Sequence, residues 1–201
     1  MIKTQVADAT QEERLMDSLQ FLIYARCFHG QIELINDLIQ TGETLEGMNE
    51  DVRELLHQLE VTPDDEVQMQ YDNLFFIPGP CYAPPYVSFY LDLAKEGQNA
   101  AVHSLSGCYE RFGFLDYAHG TGVRHDHIGT VFMFLHYLLQ RSVEAESETI
   151  REEAEAMYEV MLEDYLRPMF GDFEKEVSTR MIRGFYRDLV QSAHLLIEDE
   201  V

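Results

Sequence analysis

Leu15, Leu19, Leu22 and Ile23 fall at helical spacing, with Arg26, in a segment free of glycine and proline, which predicts an amphipathic first helix ending near Gly30. Ile32, Ile35, Leu38 and Ile39 continue the period until Gly42 and Gly47 interrupt it. Asn49 is placed to cap a short helix carrying Val52, Leu55, Leu56 and Leu59. Thr62-Pro63-Asp64-Asp65 then reads as a helix start: a capping hydroxyl, proline at the first helical position and carboxylates against the positive end of the dipole. That helix runs toward Phe76.

Ile77 to Pro85 holds four of the six prolines and one glycine in nine residues, so neither a helix nor a central strand can continue through it. The apolar pattern resumes from Tyr86 to Leu93, and a helix is predicted from Gln98 toward Phe112. Gly113 to Arg124, with three glycines, reads as a second irregular stretch before a strongly apolar helix from about Asp126 to Arg141. Its Met and aromatic stripe from Phe132 to Leu139 reads as core. Ala154, Met157, Tyr158, Met161, Leu162 and Tyr165 mark another helix, opened by Glu152 and Glu153 and broken at Pro168. Ile182, Phe185, Tyr186, Leu189, Ala193 and Leu196 mark the last one. The expected fold class is all-α: a single-domain bundle of about eight to ten helices over residues 1–201, without internal repeats and with irregular loops near 77–85 and 113–124.

Composition sharpens this picture. With 201 residues, 46% apolar, and with 12 Phe and 11 Tyr, the chain can bury a core without staples. Its 14 basic residues against 37 acidic ones give a net charge of −23, which repels nucleic-acid phosphates and anionic lipid surfaces and attracts cationic ligands. A basic peptide is the partner this field suits. Cys27, Cys81 and Cys108 are widely spaced with no CxxC pair, so reduced cytosolic thiols are expected rather than a zinc site. The first residues carry no apolar signal core, and the run from Val131 to Leu139 is too short to span a bilayer. A cytoplasmic location without stable membrane insertion is the expectation.

Two segments carry candidate chemistry. In the first, Tyr71-Asp72-Asn73-Leu74-Phe75-Phe76 leads into Ile77-Pro78-Gly79-Pro80-Cys81-Tyr82-Ala83-Pro84-Pro85 and then Tyr86-Val87-Ser88-Phe89-Tyr90. A proline-stiffened loop flanked by aromatic rings loses little entropy when a ligand orders it, although a rigid core-packed turn uses the same residues. In the second, Arg124-His125-Asp126-His127 opens the apolar helix. Asp126 can cap that helix and still offer a carboxylate edge to a guanidinium, while His127 adds a group that titrates near neutral pH.

Together these segments resemble the TorD/DmsD family of redox-enzyme maturation chaperones. That pattern has an aromatic-x-x-Leu-Phe turn, Pro-Gly-Pro, Pro-Pro-Tyr-x-Ser and later an Asp-His pair opening a Phe-Met-rich helix; Tyr71, Leu74, Phe75, Pro78, Gly79, Pro80, Pro84, Pro85, Tyr86, Ser88, Asp126, His127 and Phe134 match it. The stretch from Tyr165-Leu166-Arg167-Pro168 to Phe185-Tyr186 also fits, so the likeness covers most of the chain. It departs at Val87 and Val131, where many relatives have Glu. The resemblance implies a TorD-like, non-enzymatic chaperone with no cofactor of its own. Its partners would be the twin-arginine leader peptide and the apo-molybdoenzyme catalytic subunit, held until the cofactor is inserted before export. Tyr71, Leu74, Phe75, Pro80, Pro84, Pro85, Tyr86, Ser88, Asp126 and His127 would bind peptide, with Asp126 selecting guanidinium and His127 supporting it. Replacing Asp126 by Ala is then expected to weaken binding and spare stability.

Other readings remain at this point. A NarJ-like assembly chaperone would act on the enzyme body instead of the leader. His125-Asp126, with His103, His119 and His127 nearby in sequence, is also compatible with a helical metal-dependent phosphohydrolase, although no second ligand cluster follows it. Neither a GxxxxGK[ST] phosphate loop nor a GxSxG elbow is present, so nucleotide binding and serine catalysis gain no support; no catalytic or metal residue is assigned. The protein is expected to be a monomer or a domain-swapped dimer, the Gly113 to Gly122 stretch serving as a loop or a hinge.

Overall fold

A computed structural model of the protein describes residues 2–41, 47–91 and 100–199. Its helices are α1 (Ile2–Phe28), α2 (Ile32–Thr41), α3 (Glu50–Val61), α4 (Asp64–Tyr71), α5 (Val87–Tyr90), α6 (Ala100–Phe112), α7 (Leu115–Gly120), α8 (Ile128–Val143), α9 (Glu148–Val160), α10 (Arg167–Arg180) and α11 (Phe185–Asp199). Among the described residues there is no strand, and the all-α bundle expected from the hydrophobic pattern is the fold found. Gly42 and positions 92–99, which include the predicted start at Gln98, lie outside the described residues.

Every residue from Ile128 to Leu135 is buried, so α8 needs protein on all sides, and the bundle is arranged to provide it. α1 lies along α8, and α9 packs against another of its faces. At the centre Phe132 stacks on Phe28 at 5.5 Å between ring centroids and also meets Phe21, Tyr24 and Phe170. Each fully buried ring of this kind contributes roughly 1.5–3 kcal/mol of hydrophobic stabilisation. The stripe read as core in the sequence is core. α10 and α11 pack on each other, and α11 also closes against α3 and α4.

Local sequence signals match the structure at several helix ends and differ from it at others. Asn49 caps α3, its Oδ1 accepting from the Asp51 amide at 2.9 Å. α1 ends where Gly30 takes φ +68°, and a Cβ there would stand 2.8 Å from the Tyr71 ring, so both backbone and space require glycine. Thr62, expected to cap α4, instead donates its hydroxyl to the Gln58 carbonyl at 2.7 Å and closes α3; Pro63 occupies the cap position, so α4 starts one residue later than expected. Gly113 to Arg124 is not wholly irregular, because α7 lies inside it, with Ala118 buried. Ser147 caps α9, placing Glu148 rather than Glu152 or Glu153 in its first turn. Pro168 does not break the chain's helical course. It sits at the start of α10, directly after a π-helical stretch from Met161 to Leu166, and the helix runs on through it. Ile182 precedes the last helix and is exposed.

Candidate functional site

α4 runs into a second π-helical stretch, Asp72–Phe76, closed by the Ile77 amide donating to the Asp72 carbonyl at 2.7 Å. This turn directs Leu74 and Phe75 into the core and leaves Phe76 and Ile77 at the surface. The chain then folds back, the Ala83 amide donating to the Leu74 carbonyl at 2.7 Å. Pro84 and Pro85 hold the backbone before them extended, and Pro85, which cannot donate, offers its carbonyl. The Ile128 amide donates to that carbonyl at 2.9 Å, and the Val87 amide donates to the Asp126 carbonyl at 2.9 Å. Tyr86 and His127 thereby form an isolated antiparallel bridge, so the proline loop and the Asp-His helix start meet at one junction.

The outer side of this junction is polar. Asp126 Oδ2 accepts from the Ser88 amide at 3.2 Å, so it serves an amide in the first turn of the short α5 and does not cap α8. The same oxygen accepts from Arg124 Nη2 at 2.9 Å, and Ser88 Oγ accepts from that nitrogen at 2.7 Å. The guanidinium lies over the Tyr86 ring, 5.0 Å from its centroid. The Asp126 side chain is 0% exposed while that of Arg124 is 50% exposed. Asp126 Oδ1 is buried with no hydrogen-bond partner among the described residues. Burial raises the Tyr86 phenol above its ordinary value, and Arg124 opposes this. The carboxylate edge expected to await a ligand is therefore present, but this chain's own arginine covers it.

The inner side is largely buried. His127, not Asp126, caps α8: its Nδ1 accepts from the Gly129 amide at 3.1 Å, which fixes the neutral ring with its proton on Nε2. It stacks on His29 at 4.8 Å and meets the edge of Tyr86 at 5.4 Å. Burial, reinforced by His29, lowers its pKa to about 3. Burial, then the nearby Arg26, lowers that of His29 to about 4. Gly129 makes the approach of α1 to α8 possible, since a Cβ there would stand 2.9 Å from the His29 ring and 3.1 Å from the Ala25 carbonyl. The neutral-pH titration expected of His127 is thus displaced far downward.

The ten residues expected to bind peptide divide into three groups. Tyr86, Ser88, Asp126 and His127 are brought together at the junction. Leu74 and Phe75 serve the core, Phe75 packing edge-on against Tyr186 at 5.4 Å, and expose no surface to a peptide. Pro85 is buried, Pro84 half-buried and Pro80 exposed, and Tyr71 packs between Phe75 and Tyr186. The Pro80 carbonyl accepts from Arg180 Nη1 at 2.6 Å, tying the loop to α10. Val87 and Val131 are fully buried, which accounts for an apolar residue at both positions. Arg124 and His29 also belong to the junction, although the sequence pattern does not single them out. Arg124 lies in the segment that opens α8, but nothing in its spacing marks it as the partner of Asp126.

The phosphohydrolase reading loses its geometry, because Asp126 is paired with Arg124 and His125 Nδ1 bonds Ser106 Oγ at 2.6 Å. Among the described residues no group of three His, Cys, Asp or Glu could hold a metal ion, and no helix is long and apolar enough to cross a membrane.

Comparison with known proteins gives the class. A profile of the nitrate reductase delta subunit family matches residues 42–175. The chain belongs to that family of redox-enzyme maturation chaperones, which are not enzymes, and is a molybdoenzyme maturation chaperone. Chaperone protein YcdY of Escherichia coli (strain K12) is 29% identical over 153 residues, which cover 76% of this chain and 73% of that protein. No solved structure matches the chain significantly.

Proposed function

We propose that this chaperone is of the TorD/DmsD type and, in the cytoplasm, binds the twin-arginine leader of its client before export, using the junction of the proline loop with the α8 start. The observation that carries this reading is the cradle of Tyr86, Ser88 and Asp126, which already holds a guanidinium. An aromatic face, a hydroxyl acceptor and a carboxylate are the partners that an arginine of another chain would also need. Phe76, Ile77 and Phe89, all exposed around the same loop and α5, offer apolar area to the hydrophobic stretch after the arginines. The net charge of −23 speeds the encounter with a cationic leader more than it tightens the complex. Titration calorimetry with an Arg-Arg leader peptide and its Lys-Lys counterpart tests this. Binding of the first, at least tenfold tighter than the second, is expected; equal, negligible heats for both would remove leader recognition.

A second reading, action on the enzyme body as in the NarJ-like branch, draws on the closure of the cradle and the burial of Val87 and Val131. Co-purification with a client lacking its leader separates the two. A leader-dependent chaperone loses its partner, and one that grips the body keeps it.

A further inference from the structure

We propose that Arg124 is a built-in occupant of the guanidinium cradle, and that a ligand arginine binds by replacing it. This inference rests on the leader-binding reading for the identity of the ligand, but not for the existence of the cradle. Arg124 engages both acceptors through a single nitrogen, Nη2, at 2.7 Å from Ser88 Oγ and 2.9 Å from Asp126 Oδ2. That is an end-on contact, not the two-nitrogen fork in which a guanidinium meets a carboxylate best. Asp126 Oδ1 is left buried and without a partner among the described residues, so the carboxylate has capacity that its present occupant does not use. The tether explains the poor fit: Arg124 is two residues from Asp126, and so short a span restricts how its side chain can approach.

The occupant can leave without dismantling the junction. Its side chain is half exposed, whereas the backbone around it is held by other groups. The Tyr109 hydroxyl donates to the His125 carbonyl at 2.9 Å, the His127 amide to the Arg124 carbonyl at 3.0 Å, and the two bonds of the Tyr86–His127 bridge involve no side chain of Arg124. Rotation of one solvent-facing side chain therefore opens Asp126. An internal competitor weakens every ligand by the fraction of time the cradle is filled. The same factor applies to a lysine, whose ammonium lacks the planar fork and meets the cradle less well to begin with, so its affinity falls below a useful level first.

Replacing Arg124 by Gln keeps an uncharged donor near Asp126 and Ser88, and Arg124→Lys keeps the charge but loses the fork, which guards against a variant that does not fold. Calorimetry on the full chain with an Arg-Arg leader peptide is expected to show affinity about tenfold higher for Arg124→Gln than for the wild type, with Arg124→Lys between them. Methylguanidinium at millimolar concentration is expected to raise the melting temperature of Arg124→Gln but not of the wild type, and methylammonium to raise neither. Peptide binding to the wild type with equal or weaker binding to both variants would overturn the proposal while leaving leader recognition standing. Methylguanidinium stabilisation of Arg124→Gln with no peptide bound by any form would retain the cradle and reject the leader. Absence of both effects would reject both.

Discussion

The two sides of the α8 start, only a few residues apart, solve the burial of polar groups in opposite ways. On the inner side the buried His127 stacks on the partly buried His29 in a seam where burial lowers the pKa of both, and Gly129 permits the close approach of α1 to α8. On the outer side the buried Asp126 carboxylate is paired with a half-exposed arginine. A buried neutral group with its hydrogen bond made stabilises a single arrangement, whereas a buried charge with an exchangeable partner leaves room for a second one. The seam is thus suited to rigidity, and the cradle to the exchange of arginines proposed for it.

Changes at the seam should cost stability and leave affinity per folded molecule unchanged. The largest effect is expected from Phe132→Ala, which removes the ring at the centre of the α1–α8 contact and should cost about 3–5 kcal/mol in denaturant unfolding. Gly129→Ala, forced against the His29 ring and the Ala25 carbonyl, should cost about 1–3 kcal/mol by the same measurement.

Acid sharpens the contrast further. Because His127 and His29 have folded-state values of about 3 and about 4, both below the unfolded value of about 6.5, the unfolded chain takes up protons first as pH falls. Stability should be flat with respect to these groups above pH ~6.5 and fall below it, by up to ~1.4 kcal/mol per pH unit for each histidine, until their folded values are reached. Thermal unfolding between pH 7 and 4 measures the slope, and His127→Asn, which keeps a cap for the Gly129 amide, should make it shallower.

At the cradle the order of effects reverses. The expectation that Asp126→Ala spares stability does not survive its burial and its bonds to the Ser88 amide and Arg124: this variant should lose about 1–3 kcal/mol as well as binding. Asp126→Asn is the cleaner probe, expected to change stability by less than about 1 kcal/mol while weakening an Arg-Arg peptide at least tenfold. Ser88→Ala should be the mildest, shifting stability by no more than about 0.5 kcal/mol and affinity by a few-fold.

Much of the fold was legible because it rests on periodicity. The uninterrupted apolar run of α8, the caps at Asn49 and Gly30 and the proline loop all express local rules, and each appears in place. Pro168 and the α7 segment were misread because a proline in a first turn and glycines around one short helix carry the same local signal as a break. The meeting of the two motif segments could be anticipated only through their resemblance to a family, since no spacing rule joins Tyr86 to His127 across 40 intervening residues. Which residues would face solvent was the least legible part. Leu74 and Phe76 are both apolar, and only the π-helical turn decides that the first is core and the second is surface.

Amide hydrogen exchange with and without an Arg-Arg leader peptide tests the junction's role most directly. Occupation of the cradle predicts slowed exchange confined to the segments around 86–90 and 122–128, with the α1–α8 seam unchanged. Slowing elsewhere on the molecule, with both of those segments unaffected by a bound peptide, would contradict it.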